Sequence, residues 1–126
     1  MDAAGASAKC RSLQAATEGY PFGAGVLVFK IGGKIFAILD AASVSLKCDP
    51  GLAIALREEF PAVTAGYHLN KRHWNTVALD GSVPDELLAE WIEDSYDLAF
   101  SSLTRAQRAA LGSPGPPGIT QAALRP

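Results

Sequence analysis

Proline and glycine divide this chain into short segments, and that division constrains its fold more than any other feature. Glycines flank the apolar run 26–30, and Gly32-Gly33 separates it from a second apolar run at residues 35–39. Glycine adopts positive φ without steric cost, so the pattern predicts a β-hairpin over residues 26–39 with a tight turn at the glycine pair. A third strand is predicted from Val44 to Cys48.

Two helices are predicted around these strands. Residues 2–17 are rich in alanine and keep small or apolar side chains at helical spacing, which favours a first helix. Asp49 followed by Pro50 predicts the start of a second helix. The carboxylate can accept from free backbone N–H groups, and a first-turn proline gives up a donor that has no partner.

The second helix is expected to end near Phe60, because Pro61 lacks the N–H donor and biases the preceding residue toward extended geometry. Leu52, Leu56 and Phe60 recur at helical spacing. We therefore expect them to form its buried stripe.

Two further helices are predicted near the C-terminal end. The spacing from Ser82 to Asp85 is that of a capping box and predicts a long helix over residues 84–102, with Trp91 in the core. The segment from Thr104 to Gln107 has the same spacing and predicts a short fourth helix.

Length and composition predict a single α+β domain over residues 1–112. The chain has 126 residues, of which 48% are hydrophobic and 19% charged, as in an ordinary globular protein. Residues 113–126 begin Ser-Pro-Gly-Pro-Pro-Gly, which cannot propagate helix or sheet, and they predict a flexible tail.

The two cysteines, Cys10 and Cys48, have neither a CxxC spacing nor a partnering histidine pair. They are expected to be buried thiols rather than a disulfide or a zinc site. No run approaches the roughly 20 apolar residues that span a bilayer, and no apolar leader is present. We expect a cytoplasmic protein that binds no membrane, metal or cofactor. Its sequence leaves the oligomeric state open and favours a monomer.

Charge is distributed unevenly along the chain. The formal net charge is −2, yet residues 1–76 carry eight Lys/Arg against six Asp/Glu, and residues 77–126 carry three against seven. A polyanion is therefore not attracted by the whole molecule, and any attraction has to be local.

The segment from Gly66 to Thr76 is where such a local site is expected. Segments 63–69 and 74–79 predict paired strands, and Asn70 to His73 forms the tip between them. The segment combines two cations, two imidazoles and two aromatic rings without one carboxylate. Such a mixture suits a phosphate-rich partner, but composition alone favours a solvated turn.

The individual side chains of this segment predict different contacts. Lys71 and Arg72 can pair with phosphate oxygens, and Asn70 and Asn75 can contact phosphates or base edges. The rings of Tyr67 and Trp74 can pack on sugar or base, although the strand neighbours Thr76 and Ala78 favour a core position for Trp74. His68 and His73 are five residues apart, which places them on opposite faces of a regular strand and favours structural roles over a shared metal.

Several ordered motifs resemble the MmcQ/YjbR family. They include Pro21-Phe22-Gly23, the run Val26 to Lys30, the run Leu46 to Pro50, and above all Gly66 to Thr76. The resemblance covers roughly residues 9–111. It implies a two-layer α/β sandwich of the frataxin-like (CyaY-like) type, in which an antiparallel sheet packs against helices. It also implies DNA binding through a "double-wing" arrangement. The site residues that it carries over are Lys47, Tyr67, His68, Asn70, Lys71, Arg72, His73, Trp74 and Asn75.

The leading hypothesis is a non-catalytic DNA-binding module that contacts phosphates through the wing around residues 66–76, helped by Lys34 and Lys47. It requires the acidic face of helix 84–102 to point away from the wing, because charges much more than about 8 Å apart in solvent are screened at physiological salt. The alternative is a binding domain for a small anionic ligand or a protein partner that uses the same polar cluster.

Metal handling and catalysis are less favoured by the residues. Glu90, Glu93, Asp94 and Asp97 share one helix and offer oxygen ligands, but a solvated helix face has the same composition. The chain has no Walker lysine motif, no GxSxG and no HExxH, and no nucleophile and base can be paired from spacing. We therefore expect no enzymatic activity.

Overall fold

The computed structural model describes residues 1–66 and 69–111, and within them the chain forms an α+β fold of four helices and six strands. The helices are α1 (Ala3–Ser12), α2 (Pro50–Glu59), α3 (Asp85–Ser101) and α4 (Arg105–Ala110). The strands are β1 (Thr17–Gly19), β2 (Leu27–Ile31), β3 (Lys34–Leu39), β4 (Ser43–Lys47), β5 (Val63–Ala65) and β6 (Trp74–Ala78).

The six strands form one antiparallel sheet in the order β1-β2-β3-β4-β6-β5. The predicted β2–β3 hairpin is present, and Gly32 and Gly33 hold φ angles of 57° and 84° in its turn, a geometry that favours glycine. Strand β3 contains a β-bulge, because Phe29 pairs with Ala37 while the next residue, Lys30, pairs with Ile35. The extra residue, Phe36, is fully buried beside the equally buried Ala37.

The core lies between one face of the sheet and the helices. The long helix α3 contributes most of the helical side of this core, and Tyr96 sets its edge against Phe36 with ring centroids 5.3 Å apart. Ser95 Oγ accepts from the Lys47 backbone N–H at 2.8 Å and donates to the Phe36 carbonyl at 2.6 Å. These bonds fix α3 to β3 and β4, while the other face of the sheet has no helix packed on it among the described residues.

The start signals of two helices, α2 and α4, were predicted correctly. Asp49 caps α2 by accepting from the N–H groups of Gly51 and Leu52. The predicted box at Thr104 and Gln107 is present at α4. The box predicted at Ser82 is wrong, since Ser82 bonds to Asp80 instead and Pro84 stands at the N-cap of α3 without a side-chain bond.

Three other predictions need correction. The first helix ends at Ser12 instead of residue 17, because Thr17–Gly19 pairs with β2 and so forms an unpredicted edge strand. The fifth strand stops at Ala65, short of the predicted residue 69. Leu52 belongs to no buried stripe, since 44% of it is exposed.

The predicted domain boundary at residue 112 and the tail over residues 113–126 lie outside the described residues. In the part of the chain that is described, no helix has the length and apolar character needed to cross a membrane.

Candidate nucleic-acid interface

Strand directions bring separate cationic residues to one end of the sheet. Strand β4 runs antiparallel to both β3 and β6, so the end of β4 lies beside the starts of its two neighbours. Lys34 begins β3, and Lys47 at the end of β4 pairs directly with Trp74 at the start of β6. The tip before β6 adds Lys71, Arg72 and His73. We call these five residues (Lys34, Lys47, Lys71, Arg72 and His73) the basic end of the sheet.

The tip of the β5–β6 hairpin is held by short-range hydrogen bonds that leave its cations outside. The Asn70 side-chain oxygen accepts from the Arg72 backbone N–H at 3.0 Å, and the His73 N–H donates to the Asn70 carbonyl at 3.1 Å. Lys71, Arg72 and His73 are all exposed. The Lys71 ammonium contacts only the Gly66 carbonyl, at 3.4 Å, among the bonds of the described residues.

Close packing at the base of the tip requires glycine. The Gly66 N–H donates to the Trp74 carbonyl at 2.9 Å, which closes the hairpin. A Cβ added to Gly66 would lie 2.7 Å from the Cβ of Trp74 and 3.1 Å from its carbonyl oxygen. No larger residue fits this approach without moving the strands.

The face of the sheet away from the helices carries the half-buried Trp74 and its neighbours. Lys47 Nζ lies 6.0 Å from the centroid of the Trp74 ring, within the range of a cation–π contact. Side chains alternate along β6, so Thr76 shares this face, and its hydroxyl lies 2.8 Å from that of Ser45. Trp74 is thus a half-buried residue on the open face of the sheet, beside Lys47. It is not the core anchor that its strand neighbours predicted.

A depression of about 480 Å³ continues along this open face. Phe22 forms one wall and is 63% exposed, and Tyr20 in the same loop is 60% exposed. Asp40 also lines the depression, but its carboxylate accepts from the N–H groups of Ala42 and Ser43. Two exposed rings and a row of hydroxyls are groups on which bases or sugars can pack.

Asn75 does not join this surface, and its predicted role as a nucleic-acid contact is not supported by its position. It points to the helix side, is 3% exposed, and donates to the Ala53 carbonyl at 3.3 Å. Its oxygen accepts from Arg57 Nε at 2.7 Å, and Arg57 also donates to the Lys71 carbonyl. Asn75 and Arg57 therefore connect α2 to the hairpin tip from behind.

Sequence reasoning missed both Arg57 and the exposed rings of the loop before β2. Arg57 is a single arginine on a helix, and only its contacts with Asn75 and Lys71 reveal its role. Phe22 belongs to a motif that resembles the family, but that motif predicts no contact for its ring. Of the other predicted site residues, Tyr67 and His68 lie outside the described residues.

Acidic side chains lie mainly in the helix layer. Three ion pairs occur in residues 1–66 and 69–111, and they join the Met1 amino group to Asp85, Lys9 to Glu93, and Arg11 to Glu18. None of them involves the basic end. Hydrogen bonding with Arg11 lowers the pKa of Glu18.

The described residues offer no cluster of three or more His, Cys, Asp or Glu that could hold a metal ion. Cys10 is fully buried, and this burial raises its pKa to about 12, so it stays a thiol. Cys48 was predicted to be buried but is only half-buried. Its partial burial is the main cause that raises its pKa, and the negative charges of Asp49 and Asp94 raise it further. Neither thiol has the lowered pKa of an activated nucleophile.

Comparison with known proteins places similar chains in several bacteria. A family model described as YjbR matches residues 11–98. The uncharacterized protein YbdF of Escherichia coli O157:H7 is 36% identical over 90 residues, which are 68% of this chain and 74% of that protein. The uncharacterized protein YjbR of Escherichia coli K12 is 38% identical over 86 residues, or 65% of this chain and 73% of that protein.

Two solved structures are similar in fold. The crystal structure of the Deinococcus radiodurans protein DR2400, a DUF419 domain, has a TM-score of 0.78 and 41% sequence identity, with 85% of each chain covered. The crystal structure of a Pseudomonas syringae protein has a TM-score of 0.61 and 27% identity, and it covers 67% of this chain and 86% of that one.

Proposed function

The chain belongs to the YjbR family, and from that premise we propose that it is a non-catalytic DNA-binding module that contacts the phosphate backbone through the basic end of its sheet. The observation that carries the proposal is the placement of Lys34, Lys47, Lys71 and Arg72 at one end of three neighbouring strands. Neither Lys71 nor Arg72 is paired with a carboxylate in the described parts of the chain.

The support comes from two turns that project at the same end of the sheet. One is the β2–β3 turn next to Lys34, and the other is the tip from Asn70 to His73. Two such projections fit the "double-wing" arrangement and the CyaY-like relationship that the family resemblance implies. We include the double-wing arrangement and the CyaY-like relationship in the proposal. We also propose a cytoplasmic location, where DNA is accessible.

Hydrogen bonds that hold the tip from Asn70 to His73 favour binding. Arg57 donates to the Lys71 carbonyl and to Asn75, and Asn70 accepts from the Arg72 N–H. A tip that is already ordered loses less conformational entropy when it binds than a free loop does. Its two cations are therefore presented to phosphates without a folding step.

Binding is expected to be weak and dependent on salt. Three to five phosphate contacts give a slope of roughly −0.9 per contact in a plot of log affinity against log salt concentration. The net charge of −2 adds no long-range attraction. The open-face rings of Phe22 and Trp74 add stacking that does not depend on base sequence.

The proposal is tested by fluorescence anisotropy with a labelled duplex at several salt concentrations. Lys71→Ala combined with Arg72→Ala is expected to lower affinity at least about tenfold and to reduce the salt slope by about 1.8, since two phosphate contacts are lost. Arg105→Ala combined with Arg108→Ala is the matched control, because it removes the same charge from α4 and should leave the slope unchanged.

Equal affinity and slope for the wild type and the Lys71/Arg72 variant would refute the proposal. A thermal-shift screen separates the alternative. A small anion such as phosphate that raised the melting temperature when duplex DNA did not would indicate a site for a small anionic ligand instead.

A further inference from the structure

A second site lies on the helix side of the sheet, in a cleft of about 310 Å³ between α2 and α3. The Phe60 ring meets the Trp91 ring edge-on with centroids 5.2 Å apart, and this contact joins the C-terminal end of α2 to α3. The cleft extends toward the N-terminal end of α2, where Asp49 and Leu52 line it. The floor there consists of apolar side chains of β4, β5 and β6, namely Leu46, Val63 and Val77.

The mouth of the cleft exposes apolar side chains that a closed core would bury. Leu52 on α2 is 44% exposed and Leu98 on α3 is 41% exposed, and both line the cleft. Each belongs to a helix whose neighbouring residues pack on the sheet. An apolar ligand seated between them would remove both side chains from water.

Acidic side chains are the main charged groups that line the cleft. Asp49, Asp94 and Asp97 line it. The carboxylate of Asp49 caps α2, whereas Asp94 forms no ion pair or hydrogen bond with the described residues. Lys47 also borders the cleft, but its ammonium lies over Trp74 on the other face of the sheet. A ligand here meets an apolar floor and an acidic rim.

We propose that this cleft binds a small molecule that carries a protonated amine on an apolar body. The amine would lie against Asp94, and the apolar body would lie between Leu52 and Leu98 above the floor. The volume is near the lower end of the roughly 300–1,000 Å³ that ligand pockets span, which favours a one- or two-ring amine over a larger ligand.

Other classes of ligand fit less well. An anion would meet three carboxylates, those of Asp49, Asp94 and Asp97. A bare divalent ion needs converging ligands, and no three acidic, histidine or cysteine side chains in the described residues converge in that way. Burial and the nearby Glu90 and Glu93 raise the pKa of Asp94, and a bound ammonium ion would offset both effects.

Three probes of one shape test the proposal by two-dimensional ¹⁵N NMR: tryptamine, 3-ethylindole and indole-3-propionate. They share an indole body and differ in charge. We expect amide shift changes at Cys48, Leu52 and Leu98. Tryptamine should bind about tenfold more tightly than indole-3-propionate, and 3-ethylindole should bind with intermediate affinity. Asp94→Asn should reduce this preference severalfold. Glu86→Gln, which removes an exposed α3 carboxylate outside the cleft, should retain it.

Alkylation provides a second readout. Cys48 lines the cleft and Cys10 is fully buried, so a thiol reagent at alkaline pH reports on Cys48 in the folded protein. Tryptamine should slow its alkylation, and indole-3-propionate should not. Equal affinity for amine and acid, shifts outside the cleft, or no binding of any probe would overturn the proposal. Identical shifts with magnesium chloride alone would overturn it too. The DNA-binding variants at Lys71 and Arg72 do not affect these outcomes.

Discussion

The basic end of the sheet and the cleft between α2 and α3 are built on the same strands but differ in charge, exposure and support. Residues 74 and 75 show how the difference arises, because alternation along β6 sends Trp74 to the open face and Asn75 to the helix side. The basic end presents exposed cations, and the cleft presents carboxylates on an apolar floor. A net charge of −2 therefore says little about what a ligand meets at either place.

The largest expected effect is a loss of stability when the buried Asn75, which connects α2 to the hairpin tip, is replaced. Asn75→Ala removes the acceptor of Arg57 Nε and the donor to the Ala53 carbonyl. Leaving such groups without partners costs about 2 kcal/mol. Urea denaturation should show this loss.

Asn70→Ala is the matched control for that substitution. Asn70 is exposed, and its side chain accepts only from the Arg72 N–H among the bonds of the described residues. Its replacement should cost less than about 1 kcal/mol. Equal losses for the two variants would contradict the distinction between a buried connection and a solvent-exposed tip.

A smaller effect is expected from the single cations that flank the wing. Lys34→Ala or Lys47→Ala should weaken DNA binding about threefold and reduce the salt slope by about 0.9, as the loss of one phosphate contact requires. Salt-dependent anisotropy titrations measure both quantities. An unchanged slope for either variant would show that the substituted lysine does not contact a phosphate.

The smallest effect concerns Asp94 in the acidic cleft. Burial, and then Glu90 and Glu93, raise the pKa of Asp94 above its ordinary value of 3.8. The folded protein then holds this proton more tightly than the unfolded chain, so stability falls as pH rises from about 3.8 through the raised pKa. Asp94→Asn should remove that loss and stabilise the protein at neutral pH by about 0.5 kcal/mol or less, because solvent screens the site.

Thermal melts of wild type and Asp94→Asn at several pH values between 3 and 7 check this sign. The difference between the two proteins should grow with pH over the lower part of the range and then level off. An Asp94→Asn variant less stable than wild type at pH 7 would show that the carboxylate forms a stabilising contact.

Most of the fold was predictable because local signals agree with the tertiary structure. Gly32-Gly33 favours a tight turn, and Asp49-Pro50 favours the start of a helix through its side-chain cap and fixed φ. The edge strand Thr17–Gly19 was not predictable, since it exists only through its pairing with β2. Ser82 was misread because the nearby Asp80 carboxylate competes for its hydroxyl and N–H.

The candidate site was predictable only in part. The segment from Asn70 to His73 was identified from its residue types, because exposed polar residues at a turn keep their chemistry wherever the turn lies. The position of Asn75 depends on which face of β6 packs on α2, and residue type does not encode that. Neither the cleft nor the role of Arg57 has a local signal, since both arise from distant elements that meet in the fold.

The central claim is that polyanions meet the basic end of the sheet and avoid the helix face. A titration of the ¹⁵N-labelled protein with a short DNA duplex at low salt tests it most directly. We predict amide shift changes at Lys34, Lys47 and the tip from Asn70 to His73, which shrink as salt is added, with the α3 amides from Glu86 to Asp97 unchanged. Shift changes centred on α3, or none anywhere at millimolar DNA, would contradict the claim.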